Sequence, residues 1–429
     1  MSEVLQIRGG TPLSGTIQAS GAKNASLPLL ITALLTAEPC VFQNVPVLED
    51  VRLTLQLLEH LGAKTSFSQN TARIEVPQLV ATEASYSLVK SLRASFWVLA
   101  PLLARGGAAR VALPGGDAIG ARPVDIHLEA LRQMGADISV KHGVVFATAP
   151  EGLRPATIHF RFPSVGATHQ LMMAASLTPG ETVITGAAKE PEIIAVAECI
   201  NQMGGSIEGA GTDTLIIKGR SELGGATVRV IGDRIEAGTY LMAAAATKGD
   251  ITVEGIDPLY FGSFREILDQ MGIEVTTTAQ SIRVNATKGL RAVSVKTAPF
   301  PLFATDLQAP LMAALTLAEG ESTIQESMFE GRFGHVGELC RMGASIIIQD
   351  HTAIIQGVPK LSGALVEGLD IRAAAALVIA GLAAEGVTTI TEVSHLKRGY
   401  EKLLTKLTSL GASAWMKVQD PDDFMFSGC

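Results

Sequence analysis

Seven basic side chains stand where an anion would be useful. Lys23, Arg93, Arg234 and Arg372 lie at the starts of apolar, Ala-rich segments. A helix N-terminus carries partial positive charge, so a Lys or Arg there is electrostatically misplaced. A bound anion removes the conflict, because backbone N–H groups and cations then act together. Arg122 in "IGARPVD", Arg332 in "FEGRFGHV" and Arg398 in "HLKRGYEKL" fall between strand-like and helix-like stretches. A guanidinium suits bidentate contact with phosphate or carboxylate. The set points to a multiply charged ligand. No P-loop or dinucleotide fingerprint accompanies it, which argues against an ordinary ATPase or dehydrogenase.

The acids and hydroxyls leave two readings open. Ser164, Asp233, Thr305 and Asp370 precede helix-like segments and are good N-caps. Ser164 and Gly166 equally suit a diphosphate at a helix start. Asp117 sits in "LPGGDAIGARP", residues 113–123, a Gly-rich mobile turn with one acid. It either caps the turn or is carried to a substrate. Cys40, Cys199, Cys340 and Cys429 are scattered without a CxxC pair, and the eight histidines form no HExxH. Neither a disulfide framework nor a zinc site is expected.

The elements that must position these residues repeat. A helix-like segment ends in Leu-Gly or Met-Gly six times, at Gly62, Gly135, Gly204, Gly272, Gly343 and Gly411. The spacing is about 70 residues, too long for common solenoid repeats. Each unit reads as an Ala-rich helix, a β-rich run, a second helix closed by the glycine in a left-handed cap, and two further strands. Three units per domain and two domains per chain fit the 429 residues. The middle boundary is expected around Gly225 to Arg234.

A chain with 47% hydrophobic residues and 18% charged ones can bury a large core. Its net charge of −8 argues against a general nucleic-acid surface. The start "MSEVLQIRGG" holds no apolar signal core, and the longest apolar run, Ala373 to Ala384, is too short to span a bilayer. A soluble cytoplasmic protein without a membrane partner is expected.

The segments "SGAKNASLPLL", "RASFWVLAPLLAR", "LPGGDAIGARPVD", "PSVGAT", "GDRIEAGTY", "TDLQAPLMA", "FEGRFGHV" and "KRGYEKL" resemble, in order, those of the UDP-N-acetylglucosamine 1-carboxyvinyltransferases, the MurA family. The resemblance runs from about Val4 to Val418. It implies an α/β fold of two inside-out domains, each of three helix-strand units, as in EPSP synthase, with the active site in the cleft between them. The implied domains are residues 23–231, carrying the mobile loop 113–123, and residues 1–22 with 232–418; residues 419–429 form a tail.

The implied reaction moves the enolpyruvyl group of phosphoenolpyruvate to the 3-hydroxyl of UDP-N-acetylglucosamine and releases phosphate. It is the first committed step of peptidoglycan synthesis. No metal or organic cofactor is implied. On the matched motifs Lys23, Arg122 and Arg398 hold phosphoenolpyruvate, supported by Arg332 and Arg372. Asn24 and Asp306 meet the sugar hydroxyl, with Asp306 the candidate base. Arg93, Arg122, Pro123, Val124, Asp125, Ile126, Ser164, Val165, Gly166 and Met328 line the UDP-sugar site. Catalysis is expected from Asp117, Asp306, Lys23 and Arg398.

Two positions depart from the family pattern. Most relatives carry Cys where this chain has Asp117. A carboxylic acid can deliver a proton as a thiol does, but its ordinary pKa is about 3.9 against about 8.5, so it needs a site that raises it. Fosfomycin inhibits the family by alkylating that thiol, so resistance is expected. Phe162 stands where some relatives carry Lys; it either packs on uracil or belongs to the core. Trp97 is expected in the core, and His127 and Trp415 have no assignment. The rival readings are an EPSP synthase-type transferase, whose Lys-Ser and Gly-Asn-Ala-Gly-Thr segments are missing, and a silent UDP-sugar-binding paralogue.

Overall fold

A computed structural model describes residues 2–84, 86–89, 92–115, 119–120 and 123–419. By contacts the chain divides into two compact units. One gathers Gly21–Gly116 and Arg122–Ile231; the other gathers Met1–Ser20 and Gly232–Cys429, with Ile119 and Gly120 of the loop. Each has its own hydrophobic core.

The Ala-rich segments form helices at the middle of each unit. In the first they are α1 (Lys23–Thr32), α2 (Leu99–Gly106) and α3 (Val165–Ser176). In the second they are α4 (Arg234–Ala246), α5 (Gln308–Leu315) and α6 (Ile371–Ala383). Every residue of α4 and α5 is buried, as is all of α6 except Ala383. A helix that is apolar all round must be enclosed. Helices α4, α5 and α6 pack pairwise on one another. Alanine on the facing surfaces permits that close approach.

Among the described residues six four-stranded sheets pack around these helices, three in each unit. Their strands alternate buried and exposed residues, as in Ser281–Asn285 and Thr352–Gln356. One face therefore meets the helices and the other meets water. All six share one order. An edge strand lies parallel to its neighbour, and the other pairings are antiparallel, as for Thr157–His159 beside Gly180–Thr185 and then Thr214–Gly219. The repeated glycines all follow a helix end with φ between 80° and 112°. Only glycine takes that conformation without strain. The repeat read from the sequence is thus the structural unit.

The N-terminal segment completes sheets of the second unit. Ser2–Arg8 lies antiparallel between Val387–Thr391 and Ser413–Gln419, and Ser14–Gln18 runs parallel to Asp250–Glu254. In the first unit Thr227–Arg229 takes the matching edge beside Cys40–Gln43. Among the described residues no helix is long and apolar enough to cross a membrane.

Candidate active site

Asp306 lies on a short 3-10 turn, Thr305–Leu307, that leads into α5. Arg332 comes from the connection between Glu321–Gln325 and Val336–Arg341. Arg372 is the second residue of α6, whose N-cap Asp370 accepts from Arg372 N–H at 2.8 Å and Ala373 N–H at 3.0 Å. The two guanidiniums converge on one carboxylate. Arg332 Nη2 donates to Asp306 Oδ1 at 2.6 Å, and Arg372 Nη2 donates to Oδ2 at 2.9 Å. Both arginine side chains are 6% exposed and that of Asp306 is 25% exposed. Burial disfavours the charge on Arg372, but Asp306, Tyr400 and Asp233 outweigh it and hold that group firmly protonated.

Each arginine is fixed again at its other end. Arg332 Nη1 donates to Thr305 Oγ1 at 2.8 Å, and that hydroxyl donates to Glu326 Oε2 at 2.8 Å. Glu326 is buried; its Oε1 accepts from Thr297 Oγ1 at 2.7 Å and from Met328 N–H at 2.8 Å. Arg372 Nη1 donates to the Tyr400 hydroxyl at 3.1 Å, which in turn meets Thr239 Oγ1 at 3.1 Å. Thr305 is therefore not the N-cap expected from its sequence position. Ala304 holds that place, and the threonine hydroxyl is committed to Arg332 and Glu326. Asp233 and Ser164 do cap their helices, accepting from Ile235 N–H at 2.8 Å and Ala167 N–H at 3.3 Å. Arg234, at the start of α4, is buried with its guanidinium 5.6 Å from the Phe300 ring centre. Arg398 is half-buried within the helix Ser394–Gly399 rather than in a connection.

In the first unit Lys23 opens α1 and faces Asp50 at 3.5 Å, the two side chains being 12% and 2% exposed. Asn24 follows, half-buried. Arg93 opens a 3-10 turn, Arg93–Val98, that feeds α2. Ser164, Val165 and Gly166 form the start of α3. A Cβ on Gly166 would lie 2.9 Å from both His127 Cε1 and Trp97 Nε1, so only glycine lets this turn rest on the two rings. Gln170 Nε2 donates to the Phe96 carbonyl at 2.7 Å, leaving its oxygen for His127 Nδ1 at 2.8 Å. His127 Nδ1 therefore carries the proton and Nε2 the lone pair. Burial pulls His127 down to about 4 and His169 to about 3, so both are neutral.

Asp125 opens the helix Asp125–Gln133 and pairs with Arg161, which holds its carboxyl below the usual range. Pro123 is exposed, Val124 buried and Ile126 half-buried. Trp97, expected in the core, is half-buried at its edge and tilted against His169 at 5.3 Å. Phe162 is 42% exposed, so the core reading of that residue fails. Trp415 Nε1 donates to Gln6 Oε1 at 3.0 Å across paired strands. Asp117 and Arg122 lie outside the described residues. Ile119 is buried, and its carbonyl accepts from Gly331 N–H at 3.0 Å.

The structure thus gathers Asp306, Arg332 and Arg372 into one cluster, with Met328 tied to it through Glu326. It gathers Ser164, Gly166 and His127 into another, where the charge of Arg93 reaches His127. Glu326, Tyr400 and His127 were not found by motif. Each acts through side-chain contacts between 21 and 161 residues distant, and single residues at such separations leave no pattern.

Residues 7–407 match the family model of EPSP synthase (3-phosphoshikimate 1-carboxyvinyltransferase). A protein of Trichlorobacter lovleyi named UDP-N-acetylglucosamine 1-carboxyvinyltransferase is 49% identical over 417 residues, 97% of this chain and 99% of the relative. One of Mesorhizobium japonicum, named UDP-N-acetylglucosamine 1-carboxyvinyltransferase 1, is 51% identical over 95% of this chain and 98% of its own length. The chain belongs to the UDP-N-acetylglucosamine 1-carboxyvinyltransferase family. Among solved structures, the enolpyruvyl transferase NikO from Streptomyces tendae covers 98% of this chain, and all of its own is matched, at TM-score 0.86 and 25% identity. EPSP synthase from Acinetobacter baumannii, at TM-score 0.75 and 18% identity, shares the fold.

Proposed function

We infer that the protein transfers the enolpyruvyl group of phosphoenolpyruvate to the 3-hydroxyl of UDP-N-acetylglucosamine, with release of phosphate. The observation that carries this reading is near-full-length identity to relatives bearing that name. The step belongs to peptidoglycan synthesis in the cytoplasm. An EPSP synthase-type acceptor is disfavoured, because the relatives named for the UDP-sugar are 49% and 51% identical over nearly the whole chain, whereas the solved EPSP synthase is 18% identical.

The chemistry needs a proton added to the methylene carbon and one removed from the sugar hydroxyl. The oxygen then bonds to the neighbouring carbon, and loss of phosphate together with a proton from the new methyl group restores the double bond. Asp306 takes the hydroxyl proton, with Asn24 holding the hydroxyl. Two guanidiniums on one carboxylate make it a weak base. The phosphate and carboxylate of phosphoenolpyruvate compete for Arg332 and Arg372, and drawing those charges away returns basicity to Asp306. Lys23, Arg122 and Arg398 meet the same anion and offset charge as phosphate leaves.

Asp117 supplies the proton from the other side. A carboxyl beside an anionic phosphate in a site closed to water has the raised pKa that this role requires. The UDP-sugar is held by Arg93, Arg122 to Ile126, Met328, and the start of α3 at Ser164, Val165 and Gly166, where N–H groups suit a diphosphate. Product formation with UDP-N-acetylglucosamine, compared with shikimate 3-phosphate in the same phosphate-release assay, tests the reading. Release with only the second acceptor would overturn it.

A further inference from the structure

We propose that Tyr400 is a positioning residue of the transfer, aiming Arg372 at Asp306 through a hydroxyl whose proton direction is fixed by α4. The proposal rests on Asp306 and Arg372 serving the reaction as described above. Thr239 Oγ1 lies 2.8 Å from the Ile235 carbonyl, which can only accept. The threonine proton is therefore spent, and in the 3.1 Å contact between Thr239 and Tyr400 the phenol must be the donor. Its lone pair then faces Arg372 Nη1 at 3.1 Å, where only an acceptor is useful. The other nitrogen of the same rigid fork reaches Asp306 Oδ2 at 2.9 Å. Fixing one prong of a planar guanidinium fixes the other.

The ring adds a second restraint, its centre lying 5.7 Å from the guanidinium carbon. Tyr400 is buried, so no water substitutes readily for the phenol. The charged and titratable groups around it are Arg372 from α6 and Asp233 and Tyr240 from α4; Tyr240 in turn faces Glu236 and Lys406. On the opposite side of Asp306, Arg332 is held in the same way by Thr305, whose proton is spent on Glu326. The carboxylate thus sits between two arginines that are each braced by a hydroxyl with a fixed direction.

Removing the phenol oxygen frees Arg372 to leave Asp306, which loses stabilisation of its charge. The test is the titration of Asp306 itself, followed by NMR in protein labelled at the aspartate carboxyl carbons, with the signal assigned by its loss in Asp306→Asn. In Tyr400→Phe the signal should titrate higher, by about one pH unit for a charge-assisted bond weakened rather than abolished. Turnover should fall about tenfold with the KM for UDP-sugar unchanged, because the lost aim of the carboxylate and guanidinium outweighs the gain in basicity of Asp306. The acid limb of the rate profile should move with the titration, because Asp306 must be ionised to act. Thr239→Val, which releases the phenol proton, should move both in the same direction by less, and it serves if the first variant does not fold. An unmoved Asp306 titration in a folded variant overturns the proposal, as does a moved titration with unchanged turnover. The titration needs no catalysis, so an enzyme inactive with UDP-N-acetylglucosamine would defeat the activity reading separately.

Discussion

Replacing Asp306 by Asn removes one charge from between two buried guanidiniums. The carboxylate receives one bond from each, at 2.6 and 2.9 Å. An Asn side chain offers one carbonyl oxygen; its amide group then faces the other guanidinium with like polarity. A hydrogen bond to a charged group contributes about 1.5–3 kcal/mol, and stripping the partner from a fully buried charge costs about 3–5 kcal/mol. Here each arginine keeps a neutral partner in Thr305 or Tyr400, and Asp306 is 25% exposed. A loss of about 2–4 kcal/mol is therefore expected for the unit that holds them, a fall of roughly 5–15 °C in Tm. Inorganic phosphate should recover part of that loss by taking the place of the missing charge. Calorimetry of both proteins with and without phosphate reads the effect. Turnover should drop about 10²–10⁴-fold if Asp306 is the base. A variant as stable as its parent, indifferent to phosphate, would refute the charge-balance reasoning, and near-normal turnover would refute the base.

Gly166→Ala places a methyl 2.9 Å from His127 and Trp97, so it should cost about 1–3 kcal/mol and weaken UDP-sugar binding measured by calorimetry; unchanged affinity would remove the start of α3 from the site. His127 and His169 are neutral because burial lowers them to about 4 and about 3. Their folded values lie below the unfolded one, so their contribution is complete above pH 6.5 and lost as pH falls. The first unit should thus lose about 2 kcal/mol per pH unit from these two groups between roughly pH 6 and 4.5. In the second unit His335, lowered by burial to about 3, acts in the same direction, while Glu236, raised by burial to about 7, acts in the opposite one. That unit should respond less to acid, and equal slopes in calorimetry across this range would contradict the assignment. Asp117→Cys should stay active and become sensitive to fosfomycin, since a thiolate attacks an epoxide far faster than a carboxylate does; rapid covalent inactivation of the unmodified protein, seen by mass spectrometry, would count against this.

The architecture was legible where one residue type meets a strict local demand. A left-handed turn after each outer helix requires glycine, so six glycines mark six units. Helices enclosed on all sides need small apolar residues, so Ala-rich runs mark the inner layer. Arg372 was legible because a cation at a helix start is out of place. Thr305 left its cap reading open in the sequence, and the local preference loses to Arg332 and Glu326, 27 and 21 residues away. Arg398 was placed in a connection because its helix is one short turn ending in Gly399. Tyr400 and the Gln170–His127 pair were invisible, since their roles are set by which partner's proton is already spent. That is a property of folded neighbours and not of spacing.

The acceptor decides which transferase this is. Purified protein should be incubated with phosphoenolpyruvate and UDP-N-acetylglucosamine, with the nucleotide sugar followed by mass spectrometry and phosphate measured in parallel. The enolpyruvyl ether of the UDP-sugar should appear in step with phosphate, and omitting either substrate should abolish both. Tight binding of the UDP-sugar with no ether and no phosphate, or phosphate release only with shikimate 3-phosphate, would contradict the proposed function.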